Sequence, residues 1–156
     1  MTPVSWPRVL LSGMIAGIVI NSSEYLLDSF VFVKQWEEAI KTLNKQYFSM
    51  ATIIASLQIL GFAAGIITLR RYAAKSGSKK PLPAALFGWI LTYAPFCVAL
   101  IVLKLIPVPL AVIVAASGLI ELVGGASLGC WIFEEIRAAA LRAASGSELQ
   151  EQYVSD

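Results

Sequence analysis

The chain contains no histidine and only two cysteines, and just 14% of its 156 residues are charged. The absence of histidine excludes histidine-based acid–base catalysis, histidine-ligated haem and histidine-containing zinc sites. Cys97 and Cys130 lie in separate apolar runs without a CxxC spacing, so neither a disulfide framework nor a metal site is predicted. The formal charge of +2 is too small to indicate a nucleic-acid partner. No metal ion and no cofactor are therefore predicted, although binding of a pigment or a lipid stays open.

Apolar residues, by contrast, make up 58% of the chain, and its mean hydropathy is +0.75. Soluble domains contain about 45–50% apolar and about 25% charged residues. Four stretches reach the length of about 20 mostly apolar residues that crosses a bilayer; they lie at 9–33, 48–69, 83–106 and 110–133. The sequence predicts an all-α polytopic membrane protein, an antiparallel bundle of four transmembrane helices. Residues 1–144 would form this single domain, followed by a polar cytoplasmic tail at 145–156.

Basic residues predict the orientation of the bundle. Eight of the 12 basic residues lie before the first span, between the second and third, or after the fourth. Because basic residues are enriched in cytoplasmic segments, both termini are predicted to lie in the cytoplasm.

Two segments outside the spans have helical patterns. Residues 36–47, WEEAIKTLNKQY, place large apolar side chains at helical spacing and predict a short amphipathic helix between the first and second spans. Alanines and charged residues after Phe133 predict that the fourth helix continues to about Ala144. Ser145, Gly146 and Ser147 are then expected to break it.

Small residues recur at helical spacing in three of the four spans. In lipid, such residues let helix backbones approach closely. The predicted packing positions are six glycines: Gly13, Gly17, Gly61, Gly65, Gly125 and Gly129. Ala63, Ala64 and Ala99 are expected instead to face outward and to offer a docking surface to other subunits.

The third span contains Pro95, which lacks the N–H that would bond to the carbonyl of Leu91. A kink is therefore predicted at this position. The hydroxyl of Thr92 is expected to help satisfy the loosened backbone.

Glu24 and Glu121 lie near the middle of the first and fourth spans. A charged residue at that depth costs about 2.5–3.5 kcal/mol, so such residues are functional candidates by default. Both occupy the small-residue faces of their helices, and on the first span Asn21 and Asp28 share that face within about 80°. Glu24 and Glu121 could therefore meet Asn21, Gln58 or each other. No basic residue lies at a comparable depth, so burial favours the neutral, protonated acid.

Two interpretations of these carboxyl groups stay open. They could be protonated residues that hydrogen-bond neighbouring helices together. Alternatively, they could form a proton-coupled or cation site, or anchor the polar head of a lipophilic ligand. No catalytic residue is predicted, because neither a nucleophile nor a metal ligand accompanies them.

Glycine, acidic, basic and aromatic residues are spaced along the chain in a characteristic pattern. They comprise Gly13, Ala16, Gly17, Asn21, Glu24, Lys34, Gln35, Trp36, Gly65, Arg70, Arg71, Tyr72, Gly118, Glu121, Gly129, Cys130, Trp131 and Glu134. This pattern resembles a group of short, uncharacterised four-span proteins of the bacterial inner membrane. The resemblance implies a multi-pass protein of that membrane and implies no established activity.

Three function classes follow. The first choice is a non-enzymatic structural or accessory subunit of a larger membrane complex, which would contact the bilayer and other membrane subunits or further copies of itself. The alternative is a small transporter or lipophilic-ligand-binding protein that uses Glu24, Asn21, Gln58 and Glu121. An intramembrane enzyme is the third.

Overall fold

The computed structural model describes residues 5–42, 50–74 and 80–155. These residues form helices and short connections, and none of them belongs to a strand. In chain order the elements are α1 (Trp6–Leu26), a π-helical segment (Leu27–Val31), α2 (Val33–Thr42), α3 (Met50–Ala74), α4 (Pro81–Leu91), α5 (Tyr93–Val102) and α6 (Val108–Ser155).

Four helical segments are long and apolar enough to cross a membrane. They are Trp6–Val31, Ile54–Ala74, Pro81–Val102 and Val108–Ala143. All four overlap the spans predicted from the sequence, although their ends differ by several residues. Proline stands at the beginning of both α1 and α4, where its fixed backbone angle suits the first helical turn.

The third span is interrupted near Pro95, the position of the predicted kink. Its two helices, α4 and α5, are separated by Thr92, three residues before Pro95. The Thr92 hydroxyl donates to the carbonyl oxygen of Gly88 at 2.7 Å, and the Thr92 N–H reaches the same oxygen at 3.0 Å. The hydroxyl therefore supports the backbone one turn before the break, rather than bonding to the carbonyl of Leu91.

The helix predicted at 36–47 corresponds in part to α2, and residues 43–47 lie outside the described residues. Trp36 and Ala39 are buried, whereas the charged residues described on α2 are exposed. The predicted break after Ala144 is wrong, because α6 continues through Ser145, Gly146 and Ser147 to Ser155. One glycine and two serines cost a helix only about 2 kcal/mol in total, which neighbouring helix formers can offset.

The helix α1 packs mainly against α3 and α6. Its contact with α3 leaves no room for side chains at the crossing: a Cβ on Gly13 would lie 2.7 Å from the Cα of Ile66, and one on Gly17 would lie 2.9 Å from the Cα of Phe62. On α3, a Cβ on Gly65 would lie 2.5 Å from the carbonyl oxygen of Gly13. The two backbones are therefore in direct contact.

The contact of α1 with α6 is built in the same way. A Cβ on Gly125 would lie 2.9 Å from the carbonyl oxygen of Ala16, and one on Gly129 would lie 3.0 Å from that of Ser12. In contrast, a Cβ on Gly124 would meet nothing within 4 Å. Glycines on the correct faces of α3 and α6 thus hold α1 between them.

One expected docking residue is placed differently. Ala64 is fully buried in a cluster with Ile20 and Ala85, so its predicted outward orientation is wrong. Ala63 is half-buried and Ala99 is exposed. The face of α3 that carries Ala64 is covered by α4, whose Gly88 contacts the Ala64 carbonyl oxygen.

Candidate functional site: a buried acidic cluster

Glu24 of α1 and Glu121 of α6 both point into the helix assembly. Each is only 6% exposed. The crossing at Gly125, one turn after Glu121, sets the register of the two helices and brings both carboxyl groups to a similar depth. They lie close enough to interact electrostatically. One oxygen of each carboxyl group is buried and has no hydrogen-bond partner among the described residues.

Asn21 lies one turn before Glu24 and links α1 to α3. Its Nδ2 donates to the backbone carbonyl oxygen of Gln58 at 3.0 Å. Its Oδ1 is buried without a partner and lies against Gly61, where an added Cβ would collide with it. Gln58 therefore contributes its backbone to this link. At position 61, glycine is the residue that leaves space for the Asn21 amide.

Tyr93 is a member of the cluster that the sequence analysis did not identify. Its side chain is fully buried, and its hydroxyl has no hydrogen-bond partner in the described parts of the chain. The ring packs on Gly118, where an added Cβ would lie 2.5 Å from Cδ1. Gly118 precedes Glu121 by three residues on α6, and the Tyr93 hydroxyl lies within electrostatic range of both Glu24 and Glu121. The signal that could have indicated it is an amphipathic ring in the middle of an apolar span.

Asp28 shares the polar face of the first span but has a partner of its own. It lies in the π-helical segment and accepts a hydrogen bond from the indole Nε1 of Trp36 at 2.8 Å. The carboxylate is half-buried and still lies within electrostatic range of Glu24 and Glu121. Its main contact fastens α2 to the end of the first span.

Two further buried hydroxyl groups lie nearer the other end of the helices. Ser12 and Thr68 are both fully buried, and neither hydroxyl has a partner among residues 5–42, 50–74 and 80–155. A Cβ on Gly88 would collide with the Thr68 hydroxyl, so that oxygen lies against the α4 backbone. The interior of the assembly therefore holds more unpaired oxygen atoms than the two acids alone.

No basic side chain that the structure describes forms an ion pair with these acids. Within the described ranges the single ion pair joins Arg137 and Glu134 at 3.6 Å, on the exposed part of α6. The same residues contain no group of three histidine, cysteine or acidic side chains that could hold a metal ion. The cluster can accept or donate protons and can attract a positive charge.

Comparison of the chain with protein-family models, curated proteins and solved structures finds no match.

Proposed function

We propose that the chain is a non-enzymatic, multi-pass protein of the bacterial inner membrane whose buried acids bind a proton or the positively charged group of a small solute or lipophilic ligand. Unpaired oxygen atoms on Glu24, Glu121 and Tyr93 support this proposal. Two carboxylates that were both charged and both buried would be costly without a positive partner. At least one of them therefore holds a proton, which makes the pair able to exchange it for another cation.

We also propose that the four spans form an antiparallel bundle with both ends in the cytoplasm. The contacts of α1 with α3 support this arrangement, because Gly13 meets Ile66 whereas Gly17 meets Phe62. The orientation of the bundle in the membrane follows from the basic residues, most of which lie at the end that carries both termini. α2 would lie along the outer surface as an amphipathic helix, with its charged residues exposed and Trp36 directed inward.

A purely structural role for the acids is less consistent with these contacts. An acid that holds two helices together donates or accepts a hydrogen bond across the interface. One oxygen of each carboxyl group has no hydrogen-bond partner among the described residues, whereas the nearby Asn21 does bond across the α1–α3 interface. The Asn21 bond supports Asn21, rather than the acids, as the residue that links α1 to α3.

Reaction with dicyclohexylcarbodiimide tests the site. This apolar reagent adds to protonated carboxyl groups in apolar surroundings and can be located by mass spectrometry of peptides. We expect adducts on Glu24 or Glu121 in wild-type membranes, and no adduct on Glu135, which is exposed. Labelling should decrease as the pH of the buffer rises, because only the protonated acid reacts.

Proton flux measured with an internal pH dye extends this test to function. The full-length chain is reconstituted in vesicles, and a potassium diffusion potential is imposed to drive proton entry. Wild-type protein should admit protons faster than the E24Q/E121Q double variant, and E135Q should match the wild type. Equal rates for wild type and double variant, or labelling of Glu135 as strong as that of the buried acids, would contradict the proposal.

The second candidate function, an accessory subunit of a larger complex, is favoured by the length of α6. This helix contains 48 residues. At 1.5 Å per residue it is about 70 Å long, more than twice the hydrocarbon thickness of about 30 Å. Leu141, Arg142 and Ala143 are exposed on the part that extends beyond the acidic residues Glu134 and Glu135. Such a projecting helix is suited to contact another subunit.

Gentle purification of the chain from native membranes tests this second function. A partner present in stoichiometric amount, and lost when the chain is truncated after Ala143, would support the accessory role. If the full-length chain and the truncated chain are both recovered without a partner, the result would count against the accessory role.

A further inference from the structure

Two adjacent arginines at the end of α3 each lie over an aromatic ring of a different helix. The Cζ atom of Arg70 lies 4.9 Å from the centroid of the Trp6 ring, and that of Arg71 lies 4.8 Å from the centroid of the Phe87 ring. Trp6 begins α1, and Phe87 belongs to the second turn of α4. The beginnings of two helices and the end of a third therefore meet around a pair of guanidinium groups.

The rings fix the position of each guanidinium without using its hydrogen-bond donors, because a cation over an aromatic face is held by the ring electrons. Neither Arg70 nor Arg71 has an ion pair or a side-chain hydrogen bond to any residue that the structure describes. Glu134 of α6 has other partners: it accepts a hydrogen bond from the Tyr72 hydroxyl at 3.4 Å and forms an ion pair with Arg137 at 3.6 Å. Among the described residues, the donors of both arginines thus have no partner and are available to a ligand.

The two helices that carry these rings also expose apolar side chains. On α1, Leu10 and Leu11 are 43% and 52% exposed, and on α4, Leu82 and Leu86 are 51% and 39% exposed. These residues belong to helices long and apolar enough to cross a membrane. A ligand of this surface needs a negatively charged group that binds guanidinium and a hydrocarbon part that covers leucine side chains.

We infer that Arg70 and Arg71 bind the phosphodiester of an anionic phospholipid whose acyl chains lie against the exposed leucines of α1 and α4. Guanidinium groups match the oxygen atoms of phosphate in geometry as well as charge. The amphipathic ring of Trp6, at the beginning of a membrane span, favours the headgroup layer, which places Arg70 and the adjacent Arg71 near the depth of lipid phosphate. The anionic lipids of the cytoplasmic leaflet attract basic residues at this position. This site is independent of the buried acids.

The test uses the full-length chain in detergent with added phosphatidylglycerol or phosphatidylcholine. Native mass spectrometry counts the retained lipids, and thermal unfolding measures the stabilisation. We expect phosphatidylglycerol to be retained and to raise the unfolding temperature of the wild type more than phosphatidylcholine does. R70Q/R71Q should lose most of this difference. K34Q/K41Q removes the same charge from exposed positions on α2 and should keep it.

Three results would overturn the inference. The first is an equal loss in the α2 control, which would mean that net charge alone attracts the lipid. The second is equal stabilisation by inorganic phosphate, which would mean that any anion suffices. The third is full retention of phosphatidylglycerol by R70K/R71K. That variant keeps both charges and removes the planar groups, so it also decides the matter if R70Q/R71Q does not fold.

Discussion

Replacing Gly65 with alanine tests the backbone contact that organises the fold. The added Cβ would lie 2.5 Å from the carbonyl oxygen of Gly13 and 3.0 Å from the backbone nitrogen of Gly17. Both are main-chain atoms of α1, so no side-chain rotation can relieve the clash. Since non-bonded heavy atoms prefer about 3.5–4.0 Å, α1 and α3 must separate by about 1 Å. Overpacking of this kind costs about 1–3 kcal/mol of unfolding free energy.

Gly124→Ala is the matched control, because the added Cβ meets nothing within 4 Å. Alanine is favoured over glycine in a helix by up to about 1 kcal/mol, and this gain applies to both variants. Gly124→Ala should therefore stabilise the protein slightly, while Gly65→Ala destabilises it. The difference between the two isolates the clash, at about 1–3 kcal/mol.

Reversible unfolding in mixed micelles, titrated with a denaturing detergent and followed by tryptophan fluorescence, measures both variants. If Gly65→Ala were as stable as Gly124→Ala, the helix backbones would not be in contact at this crossing. The glycine faces would then have no role in packing, and the register that brings the two acids together would need another cause.

Two further predictions concern buried hydrogen bonds, and the same unfolding titration measures both. Thr68→Val removes a buried hydroxyl without a partner and should be neutral or stabilising, whereas Thr92→Val removes the 2.7 Å bond to Gly88 and should cost about 0.5–1.5 kcal/mol. Trp36→Phe keeps an aromatic ring in place but removes the 2.8 Å hydrogen bond to Asp28, and should cost about 1.5–3 kcal/mol because the acceptor is a carboxylate.

Each of these predictions has a result that contradicts it. For the threonines, that result is a larger loss of stability in Thr68→Val than in Thr92→Val. For the indole, the control is Trp131→Phe, since Trp131 is 61% exposed. Equal effects of the two tryptophan variants would mean that the bond to Asp28 does not fasten α2.

Much of the helical framework could be predicted from local sequence alone. Four apolar stretches predicted four helices of spanning length. The spacing of Gly13, Gly17, Asn21, Glu24 and Asp28 predicted one shared face; the first four are buried, and Asp28 is half-buried. Pro95 predicted a kink in the third span, and the structure has a break between α4 and α5 at Thr92, three residues before it. These features depend on hydropathy, helical period and the missing proline N–H, all of which are properties of neighbouring residues.

Other predictions failed because they depended on the surroundings of a residue. Ala64 looks like Ala63 in sequence, yet Ala64 is fully buried in a cluster with Ile20 and Ala85, whereas Ala63 is half-buried. The series Ser145, Gly146 and Ser147 favours a break, but α6 continues through it. A weak local preference of this size is easily offset by the helix on either side.

The sequence by itself determined where helices form, which faces carry small and acidic residues, and that no histidine chemistry is available. Only the tertiary structure decided which residues meet: the Tyr93 ring packs on Gly118, Asn21 bonds to the backbone of Gln58, and Asp28 is held by Trp36. The physical reason is that periodicity fixes the direction of a side chain around its own helix. Its partner on another helix depends on the register of the two backbones, which is set where the glycines let them touch.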